Sequence, residues 1–256
     1  MFNSAPGQMF KAIARRLGYQ SPHPSPEAQR RDLGAWRDDL YFPEWKTGFI
    51  TVPKAANTSL KYLILDSLEA KNRTAIYDAI DSVKDKQRIH RALRESPYRC
   101  DQARLLKPDV RYILVPVRHP EARLISFYFD KVVGTGWPQT KQSALAELYS
   151  FSASTSFEDF VSLIAELPDA ECEPHFRSQF DLVGSEVVSD PRLRIIHTES
   201  FERDYRAVSE EIGLPPSEGR KENAADRTDF EISPSARAQI RRRYSEDFEL
   251  FYRTSA

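Results

Sequence analysis

Two short stretches of the chain gather side chains suited to holding anions. In "GFITVPKAANTSLKYLILDSL", Gly48 to Leu68, an apolar run breaks at Pro53-Lys54, crosses small polar residues and resumes with helical spacing. Such a strand-to-helix corner offers backbone N–H groups that the first helical turn leaves unpaired, a ready seat for a negative charge. Lys54 adds a mobile cation and Thr58 and Ser59 add hydroxyls, either of which can cap the helix. Asn57 tolerates a left-handed backbone, which tight corners often need. An ordinary capped corner with a surface lysine would carry the same residues, so this stretch alone leaves the choice open.

The second stretch, "VRYILVPVRHPEARLISFYFDKV", runs from Val110 to Val132. A strand ends at Arg118, Pro120 suits the first turn of a helix, and Arg123 and Ser126 stand three residues apart on one helical face. Arg118 and Ser126 can converge on a second anion, and a planar guanidinium beside a hydroxyl suits a phosphate dianion. Pro116 inside the strand predicts a bulge. The phosphate loop GxxxxGK[ST] is missing, since no glycine lies between Gly48 and Gly134. A plain nucleoside triphosphatase loses ground accordingly.

The elements that must position these residues follow from the hydrophobic pattern. Three apolar runs read as buried strands, 48–52, 110–117 and 192–197. Periodic segments separate or follow them: 58–70, 77–93, 120–133, 156–167, 202–212 and 234–252. The alternation predicts an α/β fold, a parallel sheet with helices on both faces, in which ligands sit beyond the carboxyl ends of the strands. Both anion corners fall at such ends. The Pro- and Ser-rich segment 19–29 reads as a linker, so residues 1–35 are expected to be a flexible N-terminal segment and 36–256 the globular domain.

Composition narrows the partners. A net charge of −1 gives no global attraction to nucleic acid, so none is expected to bind. Two cysteines outside any CxxC or His-rich cluster argue against a disulfide scaffold and a zinc site. Without a long apolar run or a signal-peptide core, the chain reads as cytoplasmic. Residues 9–19 can form a short basic amphipathic helix, which allows a peripheral membrane contact.

"VPKAANTSLKYL" resembles the 5′-phosphosulfate loop of sulfotransferases that use 3′-phosphoadenosine 5′-phosphosulfate, and "VRHPEARLISFYFDKV" resembles their 3′-phosphate motif. The closest likeness is to the carbohydrate branch, and weaker echoes at 89–93, 173–184 and 243–253 extend it over about Gly48 to Arg253. Asn57 stands where relatives often carry glycine or cysteine, and His119 where an acidic residue is common. The resemblance implies the sulfotransferase fold, a P-loop-like parallel sheet. It implies that Pro53, Lys54, Ala55, Ala56, Asn57, Thr58 and Ser59 hold the 5′ end of the donor and Arg118, Arg123 and Ser126 its 3′-phosphate. It further implies no metal, and a hydroxyl-bearing acceptor, carbohydrate or glycolipid.

In that chemistry Lys54 would neutralise the bridging oxygen that leaves as the sulfuryl group moves. The acceptor hydroxyl needs a base. His23 lies in the linker, His119 is expected to face solvent and His197 to be structural. His90 comes first as the base and His175 second, with a carboxylate as the remaining alternative. A nucleotide-dependent kinase and a non-catalytic nucleotide-binding protein of the same fold are the rival functions.

Overall fold

Strand β4 (Tyr112–Val117) is the spine of the sheet: Ile113, Leu114, Val115 and Val117 are wholly inaccessible to solvent. In the computed structural model, which describes residues 28–30, 32, 37–68, 74, 76, 78, 88–134, 145–214 and 230–253, β4 lies between two parallel neighbours. These are β2 (Thr47–Phe49) and β5 (Leu193–His197). Beyond β2, β1 (Asp39–Phe42) and the two-residue β3 (Arg99–Cys100) complete the order β3-β1-β2-β4-β5. β1 runs antiparallel to both of its neighbours, β2 and β3, so the sheet is mixed around its parallel part.

Side chains alternate across a strand, and here both faces are covered. Leu114 and Ile196 share one apolar cluster with Leu60 and Ile64 of helix α1 (Asn57–Ser67), Ile89 of α2 (Arg88–Arg94) and Tyr205 of a later helix. Ile113, Val115 and Val117 pack on the opposite face with Ile50, Leu182 and Phe251. Burying each such side chain contributes roughly 1.5–3 kcal/mol, which is why near-continuous apolar runs become central strands. A third cluster joins α3 (Pro120–Phe127) to α4 (Phe157–Ala165) and, past the short α5 (Gln179–Val183) and α6 (Phe201–Ile212), to α7 (Pro234–Arg243). The last helix, α8 (Ser245–Phe251), returns Phe251 to the sheet.

Four expectations need correction. The terminal periodic segment is two helices, because Tyr244 leaves helical geometry between α7 and α8. The helix expected over 120–133 is α-helical only to Phe127; a π turn, Tyr128–Val132, follows, closed by Val133 N–H donating to the Tyr128 carbonyl at 3.0 Å. Pro116 produces no bulge, for its register with Ile196 is continuous. Its nitrogen faces the side where pairing with β2 has already ended, so the missing N–H costs no ladder bond. Finally, β1 and β3 have no counterpart in the apolar runs read from sequence, being short and flanked by charge. The segment 9–19, most of 1–35 and most of 77–87 lie outside the described residues.

Candidate active site

The corner after β2 is built by its neighbours. Ile50 N–H still pairs with the Leu114 carbonyl (2.9 Å), after which the chain turns aside. Thr51 N–H then meets Asp39 Oδ1 at 3.3 Å and the Thr51 hydroxyl donates to the Asp38 carbonyl at 2.6 Å. The turn needs left-handed backbone at Lys54 (φ 68°) and Ala56 (φ 52°), which L-residues adopt at a cost of about 1–2 kcal/mol each. Asn57 does not supply this conformation as expected; it is buried and begins α1. Neither Thr58 nor Ser59 caps the helix. Ala56 is the N-cap and offers no side-chain hydrogen bond, so the first-turn N–H groups of Asn57, Thr58 and Ser59 have no intrahelical partner. An uncapped helix start is open to an anion.

Lys54 Nζ donates to Asp130 Oδ2 at 2.8 Å, with Lys131 Nζ 3.2 Å from the same oxygen. Burial lowers the Lys54 pKa, and the bond and charge of Asp130 only partly offset it. Burial works to raise the Asp130 carboxyl, but Lys54 and Lys131 bring it net below its ordinary value. The π turn carries Asp130 to this place, and Gly134 lets the turn close: a Cβ there would stand 2.4 Å from the Phe129 carbonyl oxygen.

The second corner arrives beside the first. Arg118 Nη1 donates to the Lys54 carbonyl at 3.3 Å, and burial lowers its pKa. Gln179 fixes the Arg118 backbone like a strand neighbour, accepting from its N–H (2.9 Å) and donating to its carbonyl (2.8 Å). Ser126 is half-buried, nearly two turns along α3. His119 is half-buried; its ring packs edge-on against Phe248 and Tyr252, each at 5.2 Å, while its backbone N–H donates to Glu199 Oε1 at 2.7 Å.

Arg123 is a correction of another kind. It is 1% exposed, and each of its three nitrogens donates to a carbonyl: Nε to Pro53 (2.9 Å), Nη1 to Arg177 (2.6 Å) and Nη2 to Pro174 (2.8 Å). It ties the loop to the segment that bears His175.

The two candidate bases differ in the partners that their ring nitrogens meet. His175 Nδ1 lies 2.9 and 2.8 Å from the Glu173 carboxylate oxygens, and Glu173 is 3% exposed. A carboxylate there holds the proton on Nδ1. His90 has both nitrogens engaged, Nε2 with Thr58 Oγ1 at 2.9 Å and Nδ1 with Lys61 Nζ at 3.3 Å. Burial first, then the charges of Lys61, His175, Arg94 and Lys131, drive its pKa down to about 2. The expected leading base therefore has no free lone pair. His197, as expected, is tied into the frame by Asp204 and the Phe251 carbonyl, both at 2.9 Å.

Sequence reasoning missed Asp38, Lys61, Asp130, Glu173 and Gln179. Lys61 had a signal, a lone lysine in the apolar face of α1, and it is 1% exposed. Among the described residues no group of three or more His, Cys, Asp or Glu could hold a metal ion. Nor is any described helix long and apolar enough to cross a membrane. The family model described as Sulfotransferase family matches residues 40–253. No curated protein and no solved structure matches the chain.

Proposed function

Because the chain belongs to the sulfotransferase family, we propose that it moves a sulfuryl group from 3′-phosphoadenosine 5′-phosphosulfate to an acceptor hydroxyl. One observation carries the donor reading: two cationic corners on adjacent parallel strands lie in contact, Arg118 Nη1 on the Lys54 carbonyl at 3.3 Å. The uncapped start of α1 and the Thr58 and Ser59 hydroxyls take the 5′-phosphate, and Arg118 with Ser126 takes the 3′-phosphate. Lys54 leaves Asp130 for the bridging oxygen.

In this reading the acceptor oxygen forms a bond to sulfur as the bond from sulfur to the bridging phosphate oxygen breaks. His175 Nε2 takes the acceptor's proton, and Glu173 steadies the imidazolium that results. Lys54 meets charge that grows only as the oxygen departs, so it accelerates the step more than it tightens binding. The sulfuryl group carries less charge than a phosphoryl group, and cationic side chains suffice for it. The acceptor we favour is a carbohydrate or glycolipid hydroxyl, supported by the likeness of 53–59 and 118–128 to the carbohydrate branch.

Calorimetry with adenosine 3′,5′-bisphosphate, ATP and ADP tests the donor, and transfer of labelled sulfate to a panel of sugars, glycolipids and small alcohols tests the acceptor. The bisphosphate should bind far more tightly than either 5′-polyphosphate. Tighter binding of ATP would overturn the reading.

A further inference from the structure

Beneath the loop runs a line of polar groups, buried at Asp38 and Lys61 and half-buried at His90 and Thr58, with one consistent set of proton positions. Asp38 Oδ2 is 3.3 Å from Lys61 Nζ, Lys61 Nζ is 3.3 Å from His90 Nδ1, and His90 Nε2 is 2.9 Å from Thr58 Oγ1. Lys61 and Asp38 are each 1% exposed, with Arg94 Nε also 3.5 Å from Asp38 Oδ1; burial lowers the Lys61 pKa and Asp38 opposes it, and the ammonium–carboxylate form pairs the two buried charges. An ammonium has donors and no acceptor. His90 Nδ1 must therefore accept from Lys61, which puts the ring proton on Nε2. That N–H donates to Thr58 Oγ1. A hydroxyl has one proton, and with its oxygen occupied from below, the proton must point elsewhere. Thr58 Oγ1 makes no other hydrogen bond among the described residues and stands in the uncapped first turn of α1.

We propose that His90 and Lys61 are positioning residues that fix the direction of the Thr58 hydroxyl, so that it donates to the 5′-phosphate of a bound nucleotide. The inference rests on the sulfotransferase reading and adds to it how the loop's hydroxyl is aimed. With the ring held neutral by burial and by Lys61, His90 neither takes nor gives a proton near neutral pH. An unguided threonine hydroxyl would spend part of its time donating to other acceptors.

The test is calorimetry with adenosine 3′,5′-bisphosphate and with adenosine 3′-monophosphate, which lacks the 5′ group. His90→Ala should weaken the bisphosphate about tenfold, the size of one hydrogen bond to a charged group, and leave the 3′-monophosphate unchanged. His90→Gln presents an acceptor towards Lys61 and a donor towards Thr58, and should recover affinity to within about threefold. In a Thr58→Val background, His90→Ala should add no further loss. Thr58→Val alone must show the same nucleotide-selective loss, which keeps the test decisive even if His90→Ala fails to fold. Equal weakening of both nucleotides, a glutamine no better than alanine, or additive losses would overturn the inference and leave the donor site standing. A wild-type protein that binds neither nucleotide would overturn the donor site itself, and this inference with it.

Discussion

Exchange of Arg123 for lysine separates two roles that the same residue could have. Its guanidinium bridges three carbonyls, Pro53 at 2.9 Å, Arg177 at 2.6 Å and Pro174 at 2.8 Å, from two separate segments. A lysine keeps the charge but is a compact point donor that can satisfy one of them. Two buried carbonyls then lose charged donors, each contributing about 1.5–3 kcal/mol, so the expected cost is about 3–6 kcal/mol. Whole domains are stable by only about 5–15 kcal/mol, so the change should be plain in urea unfolding, as a lower midpoint with an unchanged slope. Affinity for adenosine 3′,5′-bisphosphate should fall as well, because the loop loses its anchor. If Arg123→Lys unfolds within about 1 kcal/mol of wild type while nucleotide binding is lost, Arg123 touches the ligand and the buttress argument fails.

The remaining predictions concern the donor, the base and acid stability. Lys54→Ala should slow single-turnover transfer roughly 10²–10³-fold and weaken donor binding by less; transfer at the wild-type rate would make Lys54 a bystander. Arg118→Ala should weaken adenosine 3′,5′-bisphosphate about tenfold or more and leave 5′-AMP nearly unchanged, and equal losses for both would remove Arg118 from the 3′-phosphate. His175→Ala should cut transfer about 10²–10⁴-fold with donor affinity held within a few-fold, whereas full turnover in a folded variant would return the base to a carboxylate. Between pH 6.5, the ordinary value, and about 2, the unfolded chain binds a proton at His90 that the folded protein does not. Stability is therefore lost as pH falls below about 6.5, by up to about 1.4 kcal/mol per pH unit from this group. His90→Gln should flatten the acid slope by that share, and identical slopes would refute a neutral buried His90.

The sequence alone determined where the central strands β2 and β4 and the edge strand β5 run, and that a strand-to-helix corner follows each of β2 and β4. The reason is local: a strand buried on both faces needs an unbroken apolar run, and a corner that binds anions needs its cation and hydroxyls within one turn of chain. The places of Arg118 and Ser126 in the fold were legible for the same reason, at a strand end and nearly two turns into the next helix. What the tertiary structure decided is how the polar side chains divide between ligand and frame. Arg123 reads as a ligand residue by spacing, yet α3 turns it inwards onto carbonyls of Pro53, Pro174 and Arg177. The sequence ranks His90 ahead of His175; in the structure both ring nitrogens of His90 are engaged, by Lys61 and Thr58, while Glu173 holds Nδ1 of His175. Lys54 meets Asp130 only because a π turn rotates that carboxylate towards it. Glu173 and His175 apart, which stand two positions from each other, these partnerships join residues 29 to 76 positions apart. Propensity and periodicity act over a few residues, so no local pattern records which buried polar group will answer another.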